Sequence, residues 1–113
     1  MRNLKEMDAL EAYLKERGVN YERFDNGPEF AWKEGNKLTI LNERHQICVP
    51  SDKHREWDVV CHNYSYGAED GLLELMCKKI PGRSAYDCVE GYLSAEDTIE
   101  LLKSIYGEES AYI

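Results

Sequence analysis

The sequence predicts an α+β fold: a small antiparallel sheet of three to four strands, with an N-terminal helix and two C-terminal helices packed on it. Three observations predict it. An apolar stripe at helical spacing opens the chain. The middle carries short apolar runs, alternating with polar residues and joined by tight turns. Two further helical patterns close it. At 113 residues, 42% hydrophobic and 32% charged, the chain has room for one modest core, so residues 1–113 read as a single domain.

The first helix follows from Leu4, Met7, Leu10 and Leu14, which recur on one face. Asn3 with Glu6 fits a capping box, and Glu11 and Lys15 sit four apart in the favoured order. Gly18 closes the helix, because glycine takes the left-handed conformation without a Cβ clash. A strand is expected over 20–24, and Asp25-Asn26-Gly27-Pro28 breaks it. Phe30 and Trp32 alternate with polar or small residues, and Glu34-Gly35-Asn36 reads as a hairpin turn. Residues 38–41 and 46–49 are short apolar runs, and Pro50-Ser51-Asp52-Lys53 is a turn. Trp57, Val59 and Cys61 then alternate with Asp58, Val60 and His62, as a strand requires. Sequential short strands with tight connections point to an antiparallel meander.

A helix is expected over 68–79, with Leu72, Leu73, Leu75 and Met76 as its apolar set. Glu69 and Asp70 would lie at its positive end and Lys78 and Lys79 at its negative end. Pro81-Gly82 stops it. The last helix starts at Ser94, with Asp97 as a short substitute for the capping-box glutamate. Ile99, Leu102, Ile105 and Tyr106 face inward, and Glu96, Asp97 and Glu100 outward. Gly107 ends it, and the tail to Ile113 is expected to fray.

Charge is segregated. From residue 84 to 113, seven acids (Asp87, Glu90, Glu96, Asp97, Glu100, Glu108, Glu109) face one base, Lys103, a net −6 of the chain's −8. Such a surface repels nucleic acid and favours a basic partner. The largest basic cluster, Lys78-Lys79 with Arg83, is too small to release many counterions from nucleic acid. No apolar run reaches the roughly 20 residues that span a bilayer, so no membrane is expected as a partner. The N-terminus shows no signal-peptide pattern, which implies a cytoplasmic protein whose four cysteines are reduced thiols.

Residues that carry chemistry are present without the spacing that organises them. His45 and Cys48 have a two-residue gap, and Cys77 and Cys88 would have to complete a metal site, but no Cys-x-x-Cys pair exists. Cys61 and His62 are adjacent on a strand and point to opposite faces. Cys48, Cys61 and Cys77 read as small core hydrophobes. Ser65 lacks the nucleophile-elbow pattern, and Cys88 lies between acids that would raise its pKa. The loop from Cys61 to Gly71 has no lysine, and Glu69 and Asp70 stand where a bound anion would sit. The expectation is no catalytic residue, no metal and no cofactor. A small metal protein or Cys/His enzyme built on His45, Cys48, Cys61 and His62 is the alternative.

Aromatic residues cluster instead. His62, Asn63, Tyr64, Tyr66, Tyr86 and Tyr92 are amphipathic groups of the kind enriched at interfaces. The expected partner-binding set is Tyr64, Tyr66, Asp87, Glu90, Tyr92, Glu96, Asp97 and Glu100.

The runs Trp57-Asp58-Val59-Val60-Cys61-His62, Ser65-Tyr66-Gly67, Gly71-Leu72-Leu73-Glu74 and Val89-Glu90-Gly91-Tyr92-Leu93-Ser94-Ala95-Glu96-Asp97 resemble short acidic proteins of phages, prophages and their bacterial hosts. The resemblance covers residues 57–102 and brings no catalytic residues. It implies a mobile-element setting, where small acidic proteins bind and block a host protein, as anti-CRISPR proteins and other nucleic-acid mimics do. The expected function is therefore a non-enzymatic binding protein. Its acidic C-terminal face and Tyr-rich loop would engage a basic protein, such as a nucleic-acid-binding host protein. A homodimeric accessory subunit is the third reading.

Overall fold

A computed structural model describes residues 2–27, 29–34, 37–41, 43–84 and 87–113, and within 29–41 the backbone alone. Helix α1 (Lys5–Arg17) leads into β1 (Glu22–Asn26), β2 (Glu29–Glu34), β3 (Lys37–Leu41), β4 (Arg44–Pro50) and β5 (Arg55–Val60). A single 3-10 turn (Ala68–Asp70) precedes β6 (Leu73–Met76), β7 (Val89–Leu93) and helix α2 (Ala95–Tyr106). The main sheet has five strands in the order β1-β4-β5-β6-β7, every pair antiparallel, and β2 and β3 form a separate two-stranded hairpin.

This corrects the expected count of three to four strands and three helices. Residues 68–79 do not form the expected helix: 68–70 make a single 3-10 turn and 73–76 a strand. Leu73 and Leu75 are fully buried while Glu74 is half-buried and Met76 exposed, a period of two. Gly71, at φ 74°, ends the 3-10 turn before a helix can propagate. Residues 89–93, outside every expected element, form the edge strand β7. The expected turn at 34–36 and the break at Pro28 involve residues outside the described ones.

The side chains of alternate residues separate the two faces of the sheet. Ile47, Val49, Trp57, Val59, Cys61, Leu73 and Leu75 point to one side, and both helices pack there with Met7, Leu10, Leu14 and Leu102. Helix α1 ends as expected at Gly18, in the left-handed conformation. Its start differs: the N-cap is Leu4, with no side-chain cap. Glu6 reaches α2 instead, where its Oε1 accepts the Ala95 N–H at 2.8 Å. Helix α2 carries the predicted capping box: Ser94 Oγ accepts from Asp97 N at 3.0 Å, and Asp97 Oδ2 accepts from Ser94 N at 3.2 Å. Two orphan N–H groups are thereby satisfied.

The tail does not fray. Trp57 Nε1 donates to Tyr112 O at 2.8 Å, Arg17 Nη2 donates to Glu108 O, and Ile113 is 1% exposed. The outer face of the sheet is different in character. There Gln46 Nε2 donates to Asp58 Oδ2 at 2.8 Å, and Cys48 lies beside Asp52, with all of Gln46, Cys48 and Asp58 buried. No helix among the described residues is long and apolar enough to cross a membrane.

Candidate functional site

The chain leaves the core at Cys61 and makes a tight turn. Ser65 Oγ accepts from His62 N at 3.0 Å and donates to His62 O at 2.7 Å, so one hydroxyl closes the turn twice. This places Tyr64 at the tip, with φ 72° and 97% of its surface exposed. A tyrosine at positive φ costs backbone energy that the tip's own contacts must offset. Behind the turn, Asn63 N donates to Glu43 Oε2 at 3.0 Å. Glu43 also takes Arg2, Nε at 2.6 Å and Nη2 at 3.0 Å. This fork-to-fork pair holds the Glu43 carboxyl below the usual carboxylate range. It ties the N-terminal arm to the loop.

Tyr66 comes next, fixed by its backbone. Its N–H donates to Glu74 Oε2 at 2.7 Å, and its carbonyl accepts from Tyr92 N at 3.4 Å. The Tyr66 and Tyr92 rings stack with centroids 6.1 Å apart and planes 29° apart. Two glycines permit the approach. A Cβ on Gly91 would lie 2.5 Å from Tyr66 Cβ, and one on Gly67 would lie 2.9 Å from Leu72 Cβ and 3.1 Å from Tyr92 Cα. Tyr92 is the second non-glycine residue at positive φ, 58°, among those described. Both strained tyrosines therefore belong to one surface.

Two concavities meet at the stacked pair. The larger, about 530 Å³, is lined by Tyr64, Tyr66 and Tyr92 with Arg2, Glu69 and Asp70. The smaller, about 270 Å³, lies along β7 between Tyr66, Tyr92, Arg83, Asp87 and Glu90.

The predicted set divides on this geometry. Tyr64, Tyr66, Tyr92, Asp87 and Glu90 come together. Asp87 and Glu90, however, are both ion-paired with Arg83, the first at 3.2 Å. Glu96, Asp97 and Glu100 are exposed on α2 and line neither concavity. Asp97 is engaged in the capping box, and Glu100 lies 3.8 Å from Lys103. Tyr86 is outside the described residues. Sequence reasoning missed Glu69, Asp70 and Arg2 as lining groups. The first two had been assigned to a helix terminus, and their position after Gly67 was the available signal for a loop.

The Cys/His set separates too. Asp25 on β1, His45 on β4 and Cys61 just past β5 form a row: His45 Nδ1 lies 2.9 Å from Asp25 Oδ1, and Cys61 N donates to His45 O at 3.0 Å. Cys61 is fully buried at one end of the row and its thiol is pushed up by burial, while Asp25 at the other end is exposed. Cys48 points to the opposite face, its thiol pushed up to about 11 by burial, and His62 lies in the turn. Among the described residues no three His, Cys, Asp or Glu side chains gather to hold a metal ion.

No protein-family model matches the chain, and no curated protein or solved structure matches it significantly. The site must be read from its own chemistry.

Proposed function

We propose that this chain is a non-enzymatic binding protein that grips a basic protein partner through Tyr64, Tyr66 and Tyr92. The observation that carries the reading is the fixed aromatic surface. Three exposed tyrosines converge, two of them at positive φ and two stacked over glycines that only just admit them. Strain of this kind persists where the surroundings over-determine it, and it concentrates at binding surfaces. Tyrosine is suited to the role because its ring presents large area with little rotamer entropy to lose. The acids of α2 act at longer range, steering a cationic partner towards this end of the molecule. An inhibitor of the mobile-element kind implied by the resemblance is one form such a protein takes.

The test is capture of a partner from cell lysate by the wild-type protein and by the double variant Tyr64→Ala/Tyr66→Ala, with the melting temperature measured alongside. The expected result is loss of one specific partner with little change in melting temperature, because Tyr64 is almost wholly exposed. Capture should also weaken as salt rises, since the Debye length falls from about 10 Å at 0.1 M to about 3 Å at 1 M. Unchanged capture by the double variant would overturn the reading.

A further inference from the structure

We infer that the larger concavity takes an arginine side chain from a basic segment of the partner. This rests on the binding reading above and names the chemistry of its central contact. The concavity combines two kinds of wall. Tyr64, Tyr66 and Tyr92 supply aromatic surface, and Glu69 and Asp70 supply exposed carboxylates from the 3-10 turn. Its cation, Arg2, is already neutralised by both oxygens of Glu43. Neither Glu69 nor Asp70 makes a direct ion pair among the described residues, so negative charge is left over at an aromatic mouth. An apolar side chain would gain the rings and strand the acids. An anion would meet both carboxylates. An ammonium would satisfy one carboxylate as a point charge. A guanidinium satisfies both kinds of wall at once, because it is planar, stacks on a ring and donates in a fork to a carboxylate. The volume of about 530 Å³ accommodates such a side chain with its flanking backbone.

The neighbouring concavity supports the choice by contrast. There the protein's own Arg83 already lies against Asp87 and Glu90, beside Tyr66 and Tyr92. An intramolecular guanidinium thus occupies one side of the stacked tyrosine pair. The other side offers the same groups, aromatic rings and two carboxylates, to a guanidinium from outside.

The experiment uses three short peptides blocked at both termini, Gly-Arg-Gly-Arg-Gly, its lysine counterpart and its citrulline counterpart, each titrated into the isotope-labelled full chain. Citrulline keeps the planar shape of arginine and removes the charge. The arginine peptide should shift the amide signals of residues 64–70 and 92, the lysine peptide should bind several-fold more weakly, and the citrulline peptide should not bind. Glu69→Gln/Asp70→Asn should weaken the arginine peptide at least tenfold while Glu16→Gln, on the exposed face of α1, changes nothing. Equal binding of the arginine and lysine peptides, binding that survives Glu69→Gln/Asp70→Asn, or shifts confined to α2 would overturn the inference. The two readings fail differently. If Tyr64→Ala/Tyr66→Ala abolishes partner capture and the arginine peptide still does not bind, the binding reading stands and the arginine pocket falls. If that variant captures the partner normally, the binding reading falls first.

Discussion

Helix α2 and the loop over residues 62–72 both display acids, and they employ them in opposite ways. On α2, Asp97 caps its own helix, Glu100 approaches Lys103, and Ala95 N is held by Glu6 from the other helix. The inner side of α2 is buried through Leu102 and Thr98. On the loop, Glu69 and Asp70 make no direct ion pair among the described residues, and the backbone around them carries Tyr64 at positive φ. The helix commits Asp97 to its own cap and leaves Glu96 and Glu100 on its exposed face. The loop sits on a stabilised fold and leaves its carboxylates and rings to solvent. Density of acids along the sequence is therefore a poor guide to a binding surface, because capping and ion pairing consume charge that composition counts.

The comparison makes predictions that differ in size. Trp57→Ala should have the largest effect on the α2 side, costing about 3–5 kcal/mol by leaving a cavity under the tail. It also removes the donor to Tyr112 O, and chemical denaturation measures the loss. Gly91→Ala attacks the loop side. Its Cβ would meet Tyr66 Cβ at 2.5 Å, so the stacked pair must separate, at about 1–3 kcal/mol for overpacking. Partner binding should fall further than stability, and equal losses would erase the distinction between the two regions. Ser94→Ala removes one half of the capping box and should cost about 1 kcal/mol with binding unchanged.

A smaller effect separates burial of an acid from its use. Burial holds the Asp58 carboxyl above its ordinary range. The folded state keeps a proton there that the unfolded chain releases. Stability from this group therefore falls as pH rises from the unfolded aspartate value through the raised folded value. Glu43 has the opposite sign: Arg2 lowers its pKa, so its contribution is present above the unfolded glutamate value and is lost as pH falls through the folded one. Asp58→Asn should keep the bond from Gln46 and raise the melting temperature by a few degrees at neutral pH. That advantage should vanish in acid, as a pH series of melting curves would show. Smallest of all, Glu96→Gln/Glu100→Gln should change stability by no more than about 0.5 kcal/mol. It should slow association at low salt only, which stopped-flow mixing detects.

Much of this was legible in the chain. The Leu4, Met7, Leu10 and Leu14 stripe and Gly18 located α1, and Ser94 with Asp97 located the start of α2, because caps and helical periodicity are local properties. Trp57 and Val59 marked β5 for the same reason. Residues 72–76 were ambiguous, since Leu72, Leu73, Leu75 and Met76 fit one helical face as well as a four-residue strand. Pairing with β5 and β7 decided in favour of the strand, and pairing is not local. β7 was hidden by Gly91, which a propensity reading counts against a strand and which the fold requires under Tyr66. Of the site, the three tyrosines were legible as amphipathic groups of the kind enriched at interfaces. Their convergence was not, because it joins residues 64–66 to residue 92 through glycine contacts. The fate of the acids was not legible either: the Arg83 pairs with Asp87 and Glu90 depend on the turn between β6 and β7.

The anchoring of the tail has a consequence for biosynthesis. Trp57 is covered by the segment that includes Tyr112 and Ile113, and α1 is bonded to the start of α2. A nascent chain that has grown through β7 can pair its five strands, yet it lacks α2 and the tail that seal them. The part of its apolar face that α2 and the tail cover then stays open to chaperones, proteases and other nascent chains. At about 5–20 residues per second, the ribosome needs about 1–4 s to supply residues 94–113. During that interval the sheet has α1 but not the rest of its cover, and mutations that slow the docking of α2 would be felt as lower yield in cells before they were felt as lower stability in a cuvette.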